Sequence, residues 1–121
     1  MAKTNPKKIA RQNRIKRIRK KISGSSFRPR FHVFKSSKHI YAQIIDDDTG
    51  KTLAACSTLN ESIKKEEDKG KTAKAFKVGE LIASMSKSRG IDKVIFDRGG
   101  YPYHGRVKEL SRGAREGGLE F

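Results

Sequence analysis

The sequence predicts a small α/β domain: a three-stranded antiparallel meander, one more strand reached by a crossover, and two packing helices, preceded by a basic helical extension. Three observations carry that prediction. Short alternating apolar and polar runs fill residues 30–57, a helical apolar period follows over residues 72–89, and a lone apolar run, Val94-Ile95-Phe96, comes after it. Charge divides the chain in a similar way. The first acid is Asp46, and fourteen of the 29 Lys and Arg precede it, whereas the 15 that follow are nearly balanced by 13 Asp and Glu. With 121 residues and a hydrophobic fraction of 34%, the chain can build one modest core.

In residues 6–22, PKKIARQNRIKRIRKKI, Thr4 and Asn5 are candidate caps and Pro6 falls in the first turn, which predicts a helix. Its apolar stripe, Ile15, Ile18 and Ile22, is thin. Ten Lys and Arg between Lys3 and Lys21 have no acid among them and repel one another. Alone, this helix is expected to fray, and to order on a polyanion that removes the repulsion. Ser23-Gly24-Ser25-Ser26 reads as a linker, so residues 1–26 form an extension and residues 27–121 a folded domain.

Residues 30–34 and 39–45 are strand-like and joined through Lys35-Ser36-Ser37-Lys38. A third strand, residues 52–57, follows the turn Asp46-Asp47-Asp48-Thr49-Gly50. Ile40, Ala42 and Ile44 alternate with His39, Tyr41 and Gln43, and Phe31 and Val33 alternate with Arg30 and His32. One sheet face should therefore pack on helices, leaving the other to solvent or to a partner. Residues 59–71 are polar and read as a surface loop. The helix over residues 72–89 has Ala75, Val78, Ile82 and Met85 on one face, with Gly79 beside them to allow close approach to a sheet. A last helix, residues 105–115, aligns Val107, Leu110 and Ala114 and stops at Gly117-Gly118.

The charge asymmetry points to a polyanionic partner, nucleic acid first. A single Cys56 in an apolar run excludes an intramolecular disulfide framework and suits buried packing. No stretch approaches the ~20 apolar residues that span a bilayer, and no secretory signal follows the basic start, so a soluble, unexported protein is expected. Membrane-surface binding by residues 6–22 is disfavoured, because four Ile and no Trp, Phe or Leu insert poorly among lipids. A metal-dependent nuclease would have to use Asp46, Asp47, Asp48, Asp97 and His104, yet the Asp run more naturally makes a turn and lacks the downstream Glu of a calcium loop. His32, His39 and His104 have no ligand spacing for zinc. No metal, cofactor, small-molecule substrate or catalytic residue is expected.

The densest constellation is Phe96-Asp97-Arg98-Gly99-Gly100-Tyr101-Pro102-Tyr103-His104-Gly105-Arg106. Gly99 and Gly100 would let the backbone approach a phosphate, before a helix N-terminus that favours anions. Arg98 and Arg106 can grip phosphate, and Tyr101, Tyr103 and His104 can stack on unpaired bases. The same Gly-Tyr-Pro-Tyr run could instead be a rigid turn that anchors its aromatics in the core.

The run Arg28-Pro29-Arg30-Phe31-His32-Val33-Phe34-Lys35-Ser36-Ser37-Lys38-His39-Ile40-Tyr41-Ala42-Gln43 resembles the early core motif of the eighteenth large-subunit ribosomal protein family. Residues 94–106 and Ala114-Arg115-Glu116-Gly117-Gly118-Leu119-Glu120-Phe121 resemble its bacterial form nearly end to end. The resemblance implies a sheet order of 3-2-1-4, binding of 5S rRNA, attachment of that RNA to the large (50S) subunit at the central protuberance beside neighbouring proteins, and contact with 23S rRNA. It places the chain in the cytoplasm, on the ribosome. Carried over by position, the RNA-facing residues are Arg11, Arg14, Lys16, Arg17, Arg19 and Lys20 in the extension. In the domain they are Arg28, Arg30, Ser36, Ser37, Lys38, His39 and Tyr41, and in the loop Arg98, Gly99, Gly100, Tyr101, Tyr103, His104 and Arg106. Phe34 stands where many members have Arg, so it is assigned no phosphate contact.

Overall fold

The computed structural model describes residues 6–21, 28–64 and 70–121. The candidate caps Thr4 and Asn5, Ile22 and the linker at residues 23–26 lie outside the described residues. The chain forms a helix, α1 (Pro6–Lys21), then strands β1 (Arg30–Lys35), β2 (Ile40–Asp46) and β3 (Lys51–Ser57). A short helix α2 (Glu61–Lys64), the long helix α3 (Lys71–Ser88), β4 (Ile95–Asp97) and α4 (Arg106–Glu116) follow. The sheet order is β3-β2-β1-β4, with β1, β2 and β3 antiparallel and β4 parallel to β1. The predicted architecture and strand order are both present.

Local chemistry fixes the two turns of the meander. Between β1 and β2, the Ser36 N–H donates to the His39 carbonyl at 2.8 Å and the His39 N–H donates to Ser36 Oγ at 3.1 Å. Between β2 and β3, the Asp48 N–H donates to Asp46 Oδ1 at 3.0 Å and the Gly50 N–H to the Asp46 carbonyl at 2.8 Å, so the acid run makes a turn. Side chains then alternate across the sheet. Phe31, Val33, Ile40, Ala42, Ile44, Ala54 and Cys56 are buried on one face, under Ala75, Val78 and Ile82 of α3. Each large member of that set contributes about 1.5–3 kcal/mol by leaving water. Burial also pushes the Cys56 thiol up to about 11, consistent with a packing role.

Two expectations are corrected. Gly79 does not mediate approach to the sheet: a Cβ there would lie 2.0 Å from the Leu110 carbonyl oxygen and 2.7 Å from the Ala114 nitrogen, so α4 is what it admits. Gly113 meets the Phe76 carbonyl oxygen in the same manner, at 2.2 Å. Because Phe76 meets Gly113 and Ala83 meets Gly117, α3 and α4 run parallel, backbone against backbone. The second correction concerns residues 59–71, read as loop throughout. They include α2, whose Ile63 is buried in the core, because one apolar residue in a polar segment suffices to dock a single turn.

The C-terminus closes the domain. The Val94 N–H donates to the Glu120 carbonyl at 3.0 Å and the Glu120 N–H to the Asp92 carbonyl at 2.8 Å. Phe121 then joins Phe31 and Phe96, with ring centroids 5.3 to 5.6 Å apart.

Candidate nucleic-acid interface

The loop after β4 is held from three sides. A Cβ on Gly99 would lie 2.3 Å from the Val33 carbonyl oxygen, so the loop lies directly against β1 beyond the end of β4. Tyr101, 8% exposed, continues this cover: its hydroxyl accepts from the Lys35 N–H at 3.2 Å and donates to the Lys35 carbonyl at 3.1 Å. Asp97 anchors the base of the loop. Its side chain is fully buried and accepts from Arg30 Nη1 at 2.8 Å and the Gly99 N–H at 2.9 Å, with His32 Nδ1 at 3.2 Å. Burial opposes ionisation of Asp97, but the bonds from His32, Gly99 and Arg30 outweigh it and hold its carboxyl well below the usual carboxylate range.

The third side is α1. Arg14 donates from Nε to the Gly100 carbonyl at 2.8 Å, Arg11 Nη1 lies 3.5 Å from the Gly99 carbonyl, and the Arg11 guanidinium sits 4.8 Å from the Tyr101 ring centroid. A helix expected to order on a polyanion is thus fastened to the domain by its own cations. Gly99 and Gly100 make this possible, since both have positive φ, +66° and +76°, which turns their carbonyls toward α1.

The candidate residues therefore separate. Arg11 and Arg14 are half-buried against the loop, whereas Lys16 and Arg17 are exposed on α1. Arg19 and Lys20 lie in α1 with side chains outside the described set, as does that of Ile18. Arg30 is engaged by Asp97 and by Asp47, at 3.0 Å, which leaves it little capacity for phosphate. Gly99, Gly100 and Tyr101 are buried, while Arg98, Tyr103 and His104 are exposed. Tyr103 keeps 43% of its surface open, with its ring edge on Phe96 and its hydroxyl bonded to Ser111 Oγ. The loop thus combines both readings of its sequence: one tyrosine packs inward and one faces out.

On the opposite sheet face, His32, Phe34, Tyr41 and Gln43 line a shallow groove. Phe34 is 46% exposed and its ring lies 5.7 Å from that of Tyr41. This aromatic pair is only half legible in the sequence: Phe34 offers no phosphate contact, yet the alternation that places Tyr41 on the open face also places Phe34 there. At the end of the sheet, Ser36, Ser37 and Lys38 are exposed, Arg28 is exposed nearby in the chain, and His39 Nδ1 is 2.9 Å from Thr58 Oγ1. Lys38 shares a cleft with Arg106 and with Lys71 and Lys74, two cations that no sequence motif singles out.

Three of the four acids that a nuclease would use are otherwise engaged: Asp46 in its turn, Asp47 with Arg30, and Asp97 with three donors. Among the described residues no group of three His, Cys, Asp or Glu is placed to hold a metal, and no helix is long and apolar enough to cross a membrane.

A family model described as ribosomal L18 of archaea, bacteria, mitochondria and chloroplast matches residues 5–121. The large ribosomal subunit protein uL18 of Desulfotalea psychrophila is 64% identical over 121 residues, covering 100% of both chains. The protein of the same name from Sorangium cellulosum is 57% identical over 114 residues, 93% of this chain and 96% of that one. That of Ruminiclostridium cellulolyticum is 53% identical over 120 residues, 98% of each. Matches of this length and identity lead to one conclusion: the chain belongs to the ribosomal L18 family of large-subunit proteins.

Proposed function

We propose that this chain is a non-enzymatic component of the large subunit that binds 5S rRNA and holds it at the central protuberance, where it also contacts 23S rRNA and neighbouring proteins. The observation that carries the reading is the seating of α1 on the Gly99-Gly100 loop. It joins the most basic segment to the surface that presents Arg98, Tyr103 and His104, so phosphate neutralisation and base stacking are offered side by side. Lys16 and Arg17 supply charge that follows any phosphate backbone, whereas fixed groups on the loop, the 36–39 turn and the sheet face supply shape and stacking. The resemblance of the sequence motifs to the bacterial family adds the identity of the RNA.

The test is the affinity of the full chain for 5S RNA, against a 23S fragment and an unrelated folded RNA, across salt. With about 6 to 10 phosphate contacts, affinity falls ~10³ to 10⁵ fold between 50 and 200 mM salt. A preference for 5S RNA that persists at 200 mM is the expected result. Equal affinity for all three RNAs, or binding indifferent to salt, would overturn the proposal.

A further inference from the structure

A cleft of about 230 Å³ opens beside the 36–39 turn, lined by Lys38, Ile40, Thr58, Lys71, Lys74 and Arg106. Four of these six are cations and none is an acid. They come from three segments: Lys38 from the turn between β1 and β2, Lys71 and Lys74 from the first turn of α3, and Arg106 from the first residue of α4. The parallel packing of α3 on α4 is what brings the two helix starts to one place.

Several features leave positive charge there without a partner. Neither helix has a side-chain cap at its N-cap residue, Gly70 or Gly105, so no N-cap side chain satisfies the first-turn N–H groups of either. The first turn of α3 contains no acid, and Glu109 in that of α4 is bonded to Arg112 at 2.8 Å. Lys71 donates to the Ser37 carbonyl at 2.8 Å, which occupies one of its three donors. Most tellingly, Arg106 Nη1 is buried with no hydrogen-bond partner among the described residues. That leaves the Arg106 guanidinium with donor capacity, which a small movement of the side chain brings to an anionic oxygen in the cleft.

We propose that this cleft binds one backbone phosphate of RNA, gripped by Arg106 and Lys74 with Lys38 and Lys71 at its rim. The inference rests on the RNA-binding reading and extends it to a site on α3. A backbone phosphate fits better than a free nucleotide, because the lining contains no aromatic ring to hold a base. Lys71 gives the site a second role: by binding the Ser37 carbonyl it ties the 36–39 turn to α3, so an occupied cleft would fix that turn on the RNA.

The experiment compares Lys74→Gln and Lys71→Gln/Lys74→Gln with wild type in the full chain, by 5S RNA affinity between 50 and 200 mM salt. A control, Lys87→Gln/Lys93→Gln, removes two charges elsewhere on the domain, where they lie 3.9 and 4.0 Å from Asp92 and Glu120. Loss of one phosphate contact makes the log–log salt slope shallower by about 0.7 to 0.9. Lys74→Gln should show that change with an affinity loss on the order of ten-fold at 100 mM and unaltered thermal unfolding. A change no larger than the control's overturns the proposal. So does a loss confined to the double variant with turn amides shifted before RNA is added, since Lys71 would then be only a strut. Titration with inorganic phosphate, followed at the Thr58, Lys71 and Arg106 amides, separates the sources: saturation of the cleft by phosphate with RNA affinity untouched by either variant overturns the RNA assignment. Should wild type show no preference for 5S RNA, the functional reading fails, yet the same slope comparison on a generic RNA duplex still decides the cleft.

Discussion

Arg14 reaches from the middle of α1 to the Gly100 carbonyl, a 2.8 Å bond between residues 86 apart in sequence. The bond makes the geometry of the glycine loop a condition for seating the basic helix. A Cβ on Gly100 would lie 2.8 Å from Ile15 Cγ1 and 2.9 Å from the Arg11 carbonyl oxygen. Placement of the cationic helix thus depends on an uncharged residue almost 90 positions away.

Gly100→Ala should therefore unseat α1 while leaving the α/β domain folded. The left-handed backbone adds about 1–2 kcal/mol of strain, and the contact with the Arg11 backbone has no flexible side chain to yield. Trypsin should cut at Arg11 and Arg14 faster than in wild type, and amide exchange over residues 6–21 should lose protection, with residues 28–121 unaffected. Unchanged protection would show that the loop does not hold the helix.

Asp97→Asn is expected to lower stability by about 3 kcal/mol, because it breaks a buried ion pair while Arg30 keeps Asp47. The sign of the pH dependence follows from the depressed carboxyl. Its folded value lies below the unfolded ~3.9, so its stabilisation is complete above about pH 4 and is lost as pH falls toward the folded value. Urea unfolding at pH 7, 5, 4 and 3 should give a wild-type advantage over Asp97→Asn that is constant at the first two and shrinks at the last. A constant difference down to pH 3 would contradict the account.

Those two sites mark what the sequence could and could not reveal. Alternation through Ile40, Ala42 and Ile44, and the helical spacing of Ala75, Val78 and Ile82, were legible because each element's own period reveals its buried face. Which element lies against that face is a different matter. Gly79 signalled close approach but not its object, and Arg11 and Arg14 looked like every other cation in a run of ten. The β4 loop was found by composition, yet only the bonds of Tyr101 to Lys35 separate it from Tyr103. The cleft at Arg106 is half legible, since Lys71 falls where a polar stretch reads as loop.

Gly113→Ala tests the parallel helix pair. In an exposed helix this substitution would stabilise by about 1 kcal/mol, but here the methyl would sit 2.2 Å from the Phe76 carbonyl oxygen. Overpacking against backbone should reverse the sign and destabilise by roughly 1–3 kcal/mol, measured as a lower urea midpoint. A raised midpoint would mean that the helices can separate freely.

Phe34→Ser should barely alter stability, because nearly half of the residue is exposed and its ring packs on the half-buried Tyr41. If a base stacks on this pair, RNA affinity falls by about 1–3 kcal/mol with the salt slope preserved, since no phosphate contact is lost. A change in slope without a loss at high salt would assign the face to electrostatics instead.

Tyr101 and Tyr103, two residues apart, should fail in opposite ways. Tyr101→Phe removes a hydroxyl that both donates to and accepts from Lys35 at the edge of β1, and should lower stability by about 1 kcal/mol without changing the choice among RNAs. Tyr103→Leu removes an exposed ring and keeps an apolar side chain against Phe96, so folding should change less than recognition. Its expected signature is a smaller ratio of 5S to unrelated RNA affinity at an unchanged salt slope. Measuring unfolding and RNA preference on both variants makes the assignment reciprocal. If Tyr101→Phe altered preference, or Tyr103→Leu altered only stability, the inward and outward roles drawn from the structure would have to be exchanged.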